Sequence, residues 1–362
     1  MKKLGFGCMR LPVENERVDY KKFSEMIDTF LSEGFTYFDT AYVYHKRESE
    51  IALRECLVKR YPRDAFILAD KMPPWDLKEP EDIERTFKEQ LEKCGVEYFD
   101  YYLMHNMNSE TYPTVKSLGG FEFGKRMREE GKIKKLGFSF HDTPEYLEKI
   151  IKENPGLDFV QIQLNFVDMD NPQVQSKACY EILEKYNMPA IIMEPVKGGS
   201  LANVPPAAEA LYRELGDYSP ASYAIRYAAG FPLVFMVLSG MSNMEQLLDN
   251  MKHMSDFKAL TEREHETVSR VCEILKSYRT VQCTECGYCL EDCPKNINIP
   301  KLFDVYNKVK AYGDYRELKK KYEEYTENRG AAVNCIKCGL CEGNCPQHIK
   351  IRDYLEDISK TF

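Results

Sequence analysis

The chain lacks any apolar run near the ~20 residues that a bilayer crossing requires. Its start, MKKLGFGCMRLP, lacks the apolar stretch of a secretory leader. Both absences predict a cytoplasmic protein with no membrane span. There is no basic excess either, since 50 Lys+Arg face 58 Asp+Glu for a net charge of −8. That balance excludes nucleic acid and anionic lipid as partners, because both reward positive charge. No Gly/Ser tract or low-complexity segment divides the sequence, so its parts are expected to be docked rather than tethered. Cysteine is sparse over most of the length, which excludes the disulfide framework of a small secreted protein.

What is present is concentrated. Of 13 cysteines, Cys8, Cys56, Cys94, Cys179 and Cys272 stand singly, and the rest form two tight groups near the C-terminus. The singles suit small buried hydrophobes.

Up to residue 278 one theme repeats: a short apolar run, a polar loop, then an amphipathic stretch. Strands are expected at Tyr37–Ala41, Phe66–Lys71, Phe99–His105, Lys134–Phe140, Phe159–Leu164, Ala190–Glu194 and Phe235–Ser239, with an ambiguous one at Lys3–Leu11. Helices are expected at Glu48–Lys59, Glu81–Cys94, Thr143–Lys152, Gln173–Tyr186 and Met244–Met251, where apolar residues recur at i, i+3 and i+4. Strands apolar on both faces fit a parallel sheet covered by helices. The alternation over roughly 250 residues fits a (β/α)₈ TIM barrel better than a doubly wound sheet. Gly5-Phe6-Gly7-Cys8-Met9-Arg10 has no third glycine and opens no helix, so a dinucleotide fingerprint is missing. The expected domains are an α/β barrel over 1–278 and a mainly helical, cysteine-rich domain over 279–362.

The cysteine groups read Cys283-x2-Cys286-x2-Cys289-x3-Cys293-Pro294 and Cys335-x2-Cys338-x2-Cys341-x3-Cys345-Pro346. This is the bacterial ferredoxin spacing, in which the fourth cysteine serves the other cluster. Three thiolates on one tight loop reach three corners of a cubane, and the following turn carries the fourth away. One [4Fe–4S] cluster is therefore expected on Cys283, Cys286, Cys289 and Cys345, the other on Cys335, Cys338, Cys341 and Cys293. Zinc sites use two C-x2-C pairs without a third cysteine at the same interval. The tail resembles a two-cluster ferredoxin from Val281 to Ile349, with a long helical insert from Pro300 to about Arg329.

Active sites of such barrels lie at the C-terminal ends of the strands. Asp39, Tyr44, Lys71 and His105 fall at or just beyond successive strand ends. A tyrosine with a pKa of ~10 is a poor acid near neutrality. A neighbouring ammonium favours its anion, and a carboxylate can hold that ammonium. Tyr44 with Lys71 and Asp39 would protonate a carbonyl oxygen as hydride reaches carbon, and His105 would orient the carbonyl. Trp75 either lines a substrate mouth or covers the barrel rim.

Across about residues 3–260 the chain resembles the aldo-keto reductase family. Asp39-Thr40-Ala41-x-x-Tyr44 followed by Ser49-Glu50 resembles the family motif DTAxxYGxxxSE, with His45 at the glycine. The resemblance implies tyrosine as general acid, lysine and aspartate as tuners of its pKa, and histidine as orienter. It also implies cofactor contacts. Gly137-Phe138-Ser139-Phe140 resembles the family's G-x-S-N, so Ser139 would meet a nicotinamide carboxamide, with Gln161 on its other side. Met193 stands where an aromatic ring often stacks. Gly240 through Asn250 resembles the adenosine loop, so Gly240 would admit phosphate while Gln246 and Asn250 meet adenine. Ser242 stands where an arginine usually clamps the 2′-phosphate. Gly7 joins this cofactor set.

The leading expectation is an oxidoreductase that reduces a small-molecule carbonyl, or oxidises an alcohol, with NADP or NAD. Two [4Fe–4S] clusters would relay electrons to a redox partner protein. Nicotinamides move two electrons and a cluster moves one, so a flavin is an alternative occupant of the barrel. The competing expectation is an electron-transfer or regulatory subunit whose barrel binds nucleotide with little turnover.

Overall fold

A computed structural model describes residues 1–278, 281–312 and 315–362. The strands are β1 (Leu4–Gly7), β2 (Val13–Glu14), β3 (Arg17–Val18), β4 (Tyr37–Asp39), β5 (Ile67–Met72), β6 (Phe99–Met107), β7 (Ile133–Phe140), β8 (Phe159–Gln163), β9 (Ala190–Met193) and β10 (Val234–Ser239). β2 and β3 form a small antiparallel hairpin, and the others close a parallel barrel in the order β1-β10-β9-β8-β7-β6-β5-β4. The expected (β/α)₈ architecture is what the chain adopts. The ambiguous Lys3–Leu11 segment is a strand only to Gly7, after which Cys8–Arg10 tighten into a 3₁₀ turn. The expected Glu48–Lys59 helix is α-helical over Ser49–Leu53 and widens into a π-turn at Arg54–Val58.

The two-residue period of the strands sorts side chains into two layers. Tyr37, Ala69, Leu103, Phe159 and Ile191 pack together inside the barrel. Their neighbours Phe38, Leu68, Met104, Phe138 and Val160 join a larger cluster under the helices. There Phe6 meets Phe23 and Phe30 edge-on, each at 5.6 Å. Two residues beyond the inner layer, the same alternation turns Asp39, Lys71, His105, Ser139 and Gln161 inward. Strand register pairs four polar residues of this series: Asp39 with Ala69, Lys71 with Leu103, and Ser139 with Gln161.

The described chain divides into two compact units: Met1–Val196 with Ala221–His265, and Lys197–Pro220 with Glu266–Phe362. The division differs from a single cut at residue 278, because Lys197–Pro220, which follows β9 in the chain, clusters with the C-terminal part. Gly198 gives one reason. Its φ is +65°, and a Cβ there would lie 2.1 Å from the carbonyl oxygen of Thr284, inside the first cysteine loop. The second unit has its own apolar core, including Ile297, Leu302, Phe303, Val305, Leu355 and Ile358. The expected helical insert is two helices, Ile299–Tyr312 and Tyr315–Thr326. Among the described residues no helix is long and apolar enough to cross a membrane.

Candidate active site and cysteine centres

Asp39 ends β4, Lys71 is the penultimate residue of β5, and His105 lies on β6, all buried. Tyr44 is on the loop after β4 and is partly exposed. Lys71 Nζ donates to the Asp39 carboxylate, to the Thr40 carbonyl at 2.6 Å and to the Tyr44 hydroxyl at 3.4 Å. An ammonium has three donors and no acceptor. All three are therefore engaged, and the Tyr44 oxygen can only accept from lysine. Its own proton points elsewhere.

Desolvation pushes the Tyr44 pKa well above its usual value, and the carboxylate of Asp39 pushes the same way. The expected pull toward the anion is outweighed by burial, so Tyr44 keeps its proton. Burial likewise raises Asp39 against the pull of Lys71 and Gln161. His105 is held well below its ordinary pKa by burial, then by Lys71 and His141, so its imidazole is neutral. Its buried Nδ1 has no partner among the described residues. A proton there would have no acceptor, which leaves it on Nε2. Trp75, 43% exposed, sets its ring edge-on 5.3 Å from His105, and Tyr44 does so at 6.1 Å. Trp75 therefore flanks the site.

His45 occupies a position with φ +51°, followed by two more residues at positive φ. That conformation favours glycine. The histidine holds it by accepting the Leu11 N–H on Nε2 at 3.1 Å.

The cofactor candidates divide. Ser139 and Gln161 are buried on β7 and β8. Ser139 accepts the Asn106 N–H at 2.7 Å, and Gln161 donates to Asp39 at 3.4 Å. Met193 ends β9 and is partly exposed. Gly7 passes so near β10 that a Cβ would lie 3.2 Å from the Ser239 carbonyl oxygen. Ser242 is exposed; its N–H meets Gln246 Oε1 at 2.8 Å. Asn250 is buried and donates to Ser239 Oγ at 2.9 Å, so it turns inward.

The two cysteine loops repeat each other in conformation as well as spacing. Left-handed residues recur at Glu285 and Lys337, Gly287 and Gly339, and Asn296 and His348. Each follows a motif cysteine at the same interval and wraps the chain around a centre. Burial, and then Cys286, Cys283, Cys345 and Cys341, raise the Cys289 pKa. Burial and, among the thiols, Cys335, Cys293 and Cys338 act on Cys341, pushed up to about 11. Cys293, Cys335, Cys338 and Cys341 also line one cavity. Backbone N–H groups reach sulfur from Glu285 to Cys283 at 3.4 Å and from Ile297 to Cys293 at 3.5 Å. Grouped thiols among backbone donors fit iron–sulfur cubanes.

The aldo/keto reductase family model matches residues 3–273. The chain belongs to the aldo/keto reductase family. Residues 282–349 match a 4Fe-4S dicluster domain. A probable aldo-keto reductase of Glycine max is 29% identical over 50% of this chain, which spans only 53% of that protein. An uncharacterized oxidoreductase of Bacillus subtilis is 24% identical over 72% of this chain and 89% of its own length. Among solved structures, an aldo-keto reductase of Bacillus halodurans in its holo form superposes with a TM-score of 0.61 at 21% identity, covering 74% of this chain and 91% of that one. An aldo-keto reductase of Klebsiella pneumoniae in complex with NADPH gives 0.57 at 16% identity over 75% and 90%. The protein is thus an aldo/keto reductase-type oxidoreductase with a 4Fe-4S dicluster domain. The flavin alternative gains no support from these relatives.

Behind the reductase site lies a group that residue patterns did not disclose. Glu50, Asp70 and Cys94, all fully buried, have ligand atoms within 4.8 Å of one another. Asp70 points outward from β5 because Lys71 points inward, and its Oδ1 accepts the Lys71 N–H at 2.8 Å. Gln90 donates to the Lys71 carbonyl at 2.9 Å. The Ser49-Glu50 pair in the motif was the available signal, and its burial could not be read from it.

Proposed function

We propose that the barrel reduces a small-molecule carbonyl, or oxidises the corresponding alcohol, with NADP(H) or NAD(H). The engagement of every Lys71 donor is the observation that carries this reading. With its oxygen accepting from lysine, the phenol can give its proton only to something else, and a substrate carbonyl oxygen is the chemistry that needs it. A nicotinamide, when bound, supplies the hydride to the carbonyl carbon. Tyr44 delivers the proton to oxygen, so carbonyl, hydride and proton together balance as the alcohol. Lys71 then offsets the phenolate charge, and Asp39 holds Lys71 in register through its carboxylate. Neutral His105, donating from Nε2, aligns the carbonyl. Trp75 covers one side of the pocket. Ser139 and Gln161 would hold the carboxamide, Met193 would pack on the ring, and Gly7, Gly240, Gln246 and Asn250 would shape the rest of the nucleotide site.

Residues 279–362 are proposed to carry two clusters, on Cys283, Cys286, Cys289 and Cys345 and on Cys335, Cys338, Cys341 and Cys293. Together they can hold two single electrons, the number that a hydride carries beside its proton, for exchange with a redox protein, the proton passing to solvent. The test is anaerobic protein assayed for iron, acid-labile sulfide and carbonyl-dependent NADPH or NADH oxidation. Zinc without sulfide overturns the cluster assignment, and full activity in Tyr44→Phe overturns the acid assignment.

A further inference from the structure

The adenosine loop raises a charge problem. Ser242 supplies no cation where a 2′-phosphate would be clamped, and its main-chain N–H is already held by Gln246 Oε1 at 2.8 Å. A dianionic phosphate bound only by neutral groups forgoes the charge-assisted contacts that make such recognition strong.

Arg10, remote in sequence, is built into this same loop. It ends the 3₁₀ turn after β1. Its carbonyl accepts the Ser242 hydroxyl at 3.0 Å, which ties its main chain to the very residue that replaces the clamp. Its side-chain stem lies across Gly240, where a Cβ would stand 2.9 Å from Arg10 Cδ, 3.0 Å from Cβ and 3.1 Å from Cγ. Gly240 is thus required bare by Arg10. The half-buried stem is held in place by that contact, so little side-chain freedom remains to be lost when the guanidinium meets an anion.

We propose that Arg10 supplies the cationic clamp for an adenosine 2′-phosphate, making it the residue that sets NADP over NAD preference in this chain. The inference rests on the nicotinamide reading of the barrel and names the group that would discriminate within it. The serine then has a defined part: it positions the arginine main chain instead of contacting phosphate as a cation. A guanidinium from the turn after β1 replaces one from the loop after β10.

Calorimetric titration of the anaerobic holoprotein with NADPH, NADH and adenosine 2′,5′-bisphosphate tests the assignment. Arg10→Ala is expected to weaken NADPH and the bisphosphate by about ten- to hundredfold and to leave NADH within about twofold. Adding Ser242→Arg to that variant is expected to restore NADPH binding. Loss of NADPH and NADH in equal measure would place Arg10 on the shared pyrophosphate and overturn the proposal. Unchanged NADPH binding in Arg10→Ala would overturn it alone, leaving the nicotinamide reading intact. Wild-type protein that binds none of the three overturns both. Should Arg10→Ala fail to fold, Arg10→Lys decides. Weakened NADPH with unchanged NADH supports the clamp, and equal or no loss overturns it.

Discussion

The barrel and the cluster unit place their functional groups on opposite sides of the packing problem. In the barrel, Asp39, Lys71 and His105 stand above an inner layer of Tyr37, Ala69, Leu103 and Phe159, supported by strands whose outer faces are apolar. The core is complete without any cofactor. In the second unit the proposed ligands are part of the core. Cys289 and Cys341 are buried members of its apolar cluster, and Cys283, Cys293, Cys335 and Cys345 pack against it. Removing the metal there removes the cross-links among core residues, whereas emptying the barrel leaves its packing untouched. A site built on a core and a site built into one should therefore fail differently.

Cluster loss should produce the largest effect. Oxidising the clusters in air and chelating the iron is expected to expose 279–362 to limited proteolysis while the barrel strands stay protected. Because Lys197–Pro220 clusters with the second unit, cuts are expected there too. A digest that spares 197–220, or a barrel that is lost with the clusters in one transition, contradicts the comparison.

Chemistry in the barrel should break next, without touching iron. Tyr44→Phe keeps the ring and removes the proton that lysine leaves unclaimed. Turnover is expected to fall by about 10²–10⁴-fold with nucleotide affinity and iron content unchanged. Loss of nucleotide binding instead would mean the hydroxyl serves the site's structure.

The difference extends to what the sequence disclosed. Strand spacing and the DTA motif were enough to place Asp39, Tyr44, Lys71 and His105 at or just beyond successive strand ends, because a period of two fixes which strand residues face inward. Cysteine spacing was enough to single out the eight motif thiols, because each group of four lies on a short loop. Hidden were facts set by tertiary contact. The direction of the Tyr44 pKa depends on how far burial outweighs the lysine. The fit of His45 at positive φ depends on the Leu11 N–H, and the place of Arg10 depends on β1 lying beside β10. Lys197–Pro220 reads as a barrel loop by order along the chain, and its packing against Thr284 has no local pattern.

Gly198 sharpens that last point with a smaller effect. A side chain would meet the Thr284 carbonyl, and the left-handed backbone adds about 1–2 kcal/mol of strain for a non-glycine residue. Gly198→Val is expected to lower iron and sulfide toward about half, by loosening the Cys283–Cys289 loop, with the second motif retained. Iron content equal to wild type would show that the loop tolerates displacement and that the contact carries no constraint.

The smallest expected effect is a pH dependence of the barrel, arising from Glu50 and Asp70. Burial, then repulsion from Glu50, raises Asp70 well above the usual carboxyl range; burial also raises Glu50, against the pull of Lys93 at 3.5 Å. Cys94, raised by burial and by Asp70, adds no counter-charge. Two carboxylates beside one ammonium would leave a net negative charge in a dry region, so the folded barrel retains a proton that the unfolded chain releases. The folded pKa values lie above the unfolded ones. The contribution to stability is therefore complete below the ordinary carboxyl pKa near 4 and is lost as pH rises through the raised folded values. Asp70→Asn removes that titration while its Oδ1 can still accept the Lys71 N–H. Its melting temperature is expected to exceed that of wild type by about 2–4 °C on the alkaline side, the shift of roughly 1 kcal/mol in a domain of this size, and to converge with it toward pH 4. Melting curves across pH, followed on the barrel's tertiary signal, measure the difference. A variant destabilised equally at every pH would mean that the carboxyl pair holds no shared proton and that the barrel is indifferent to charge beneath its active site.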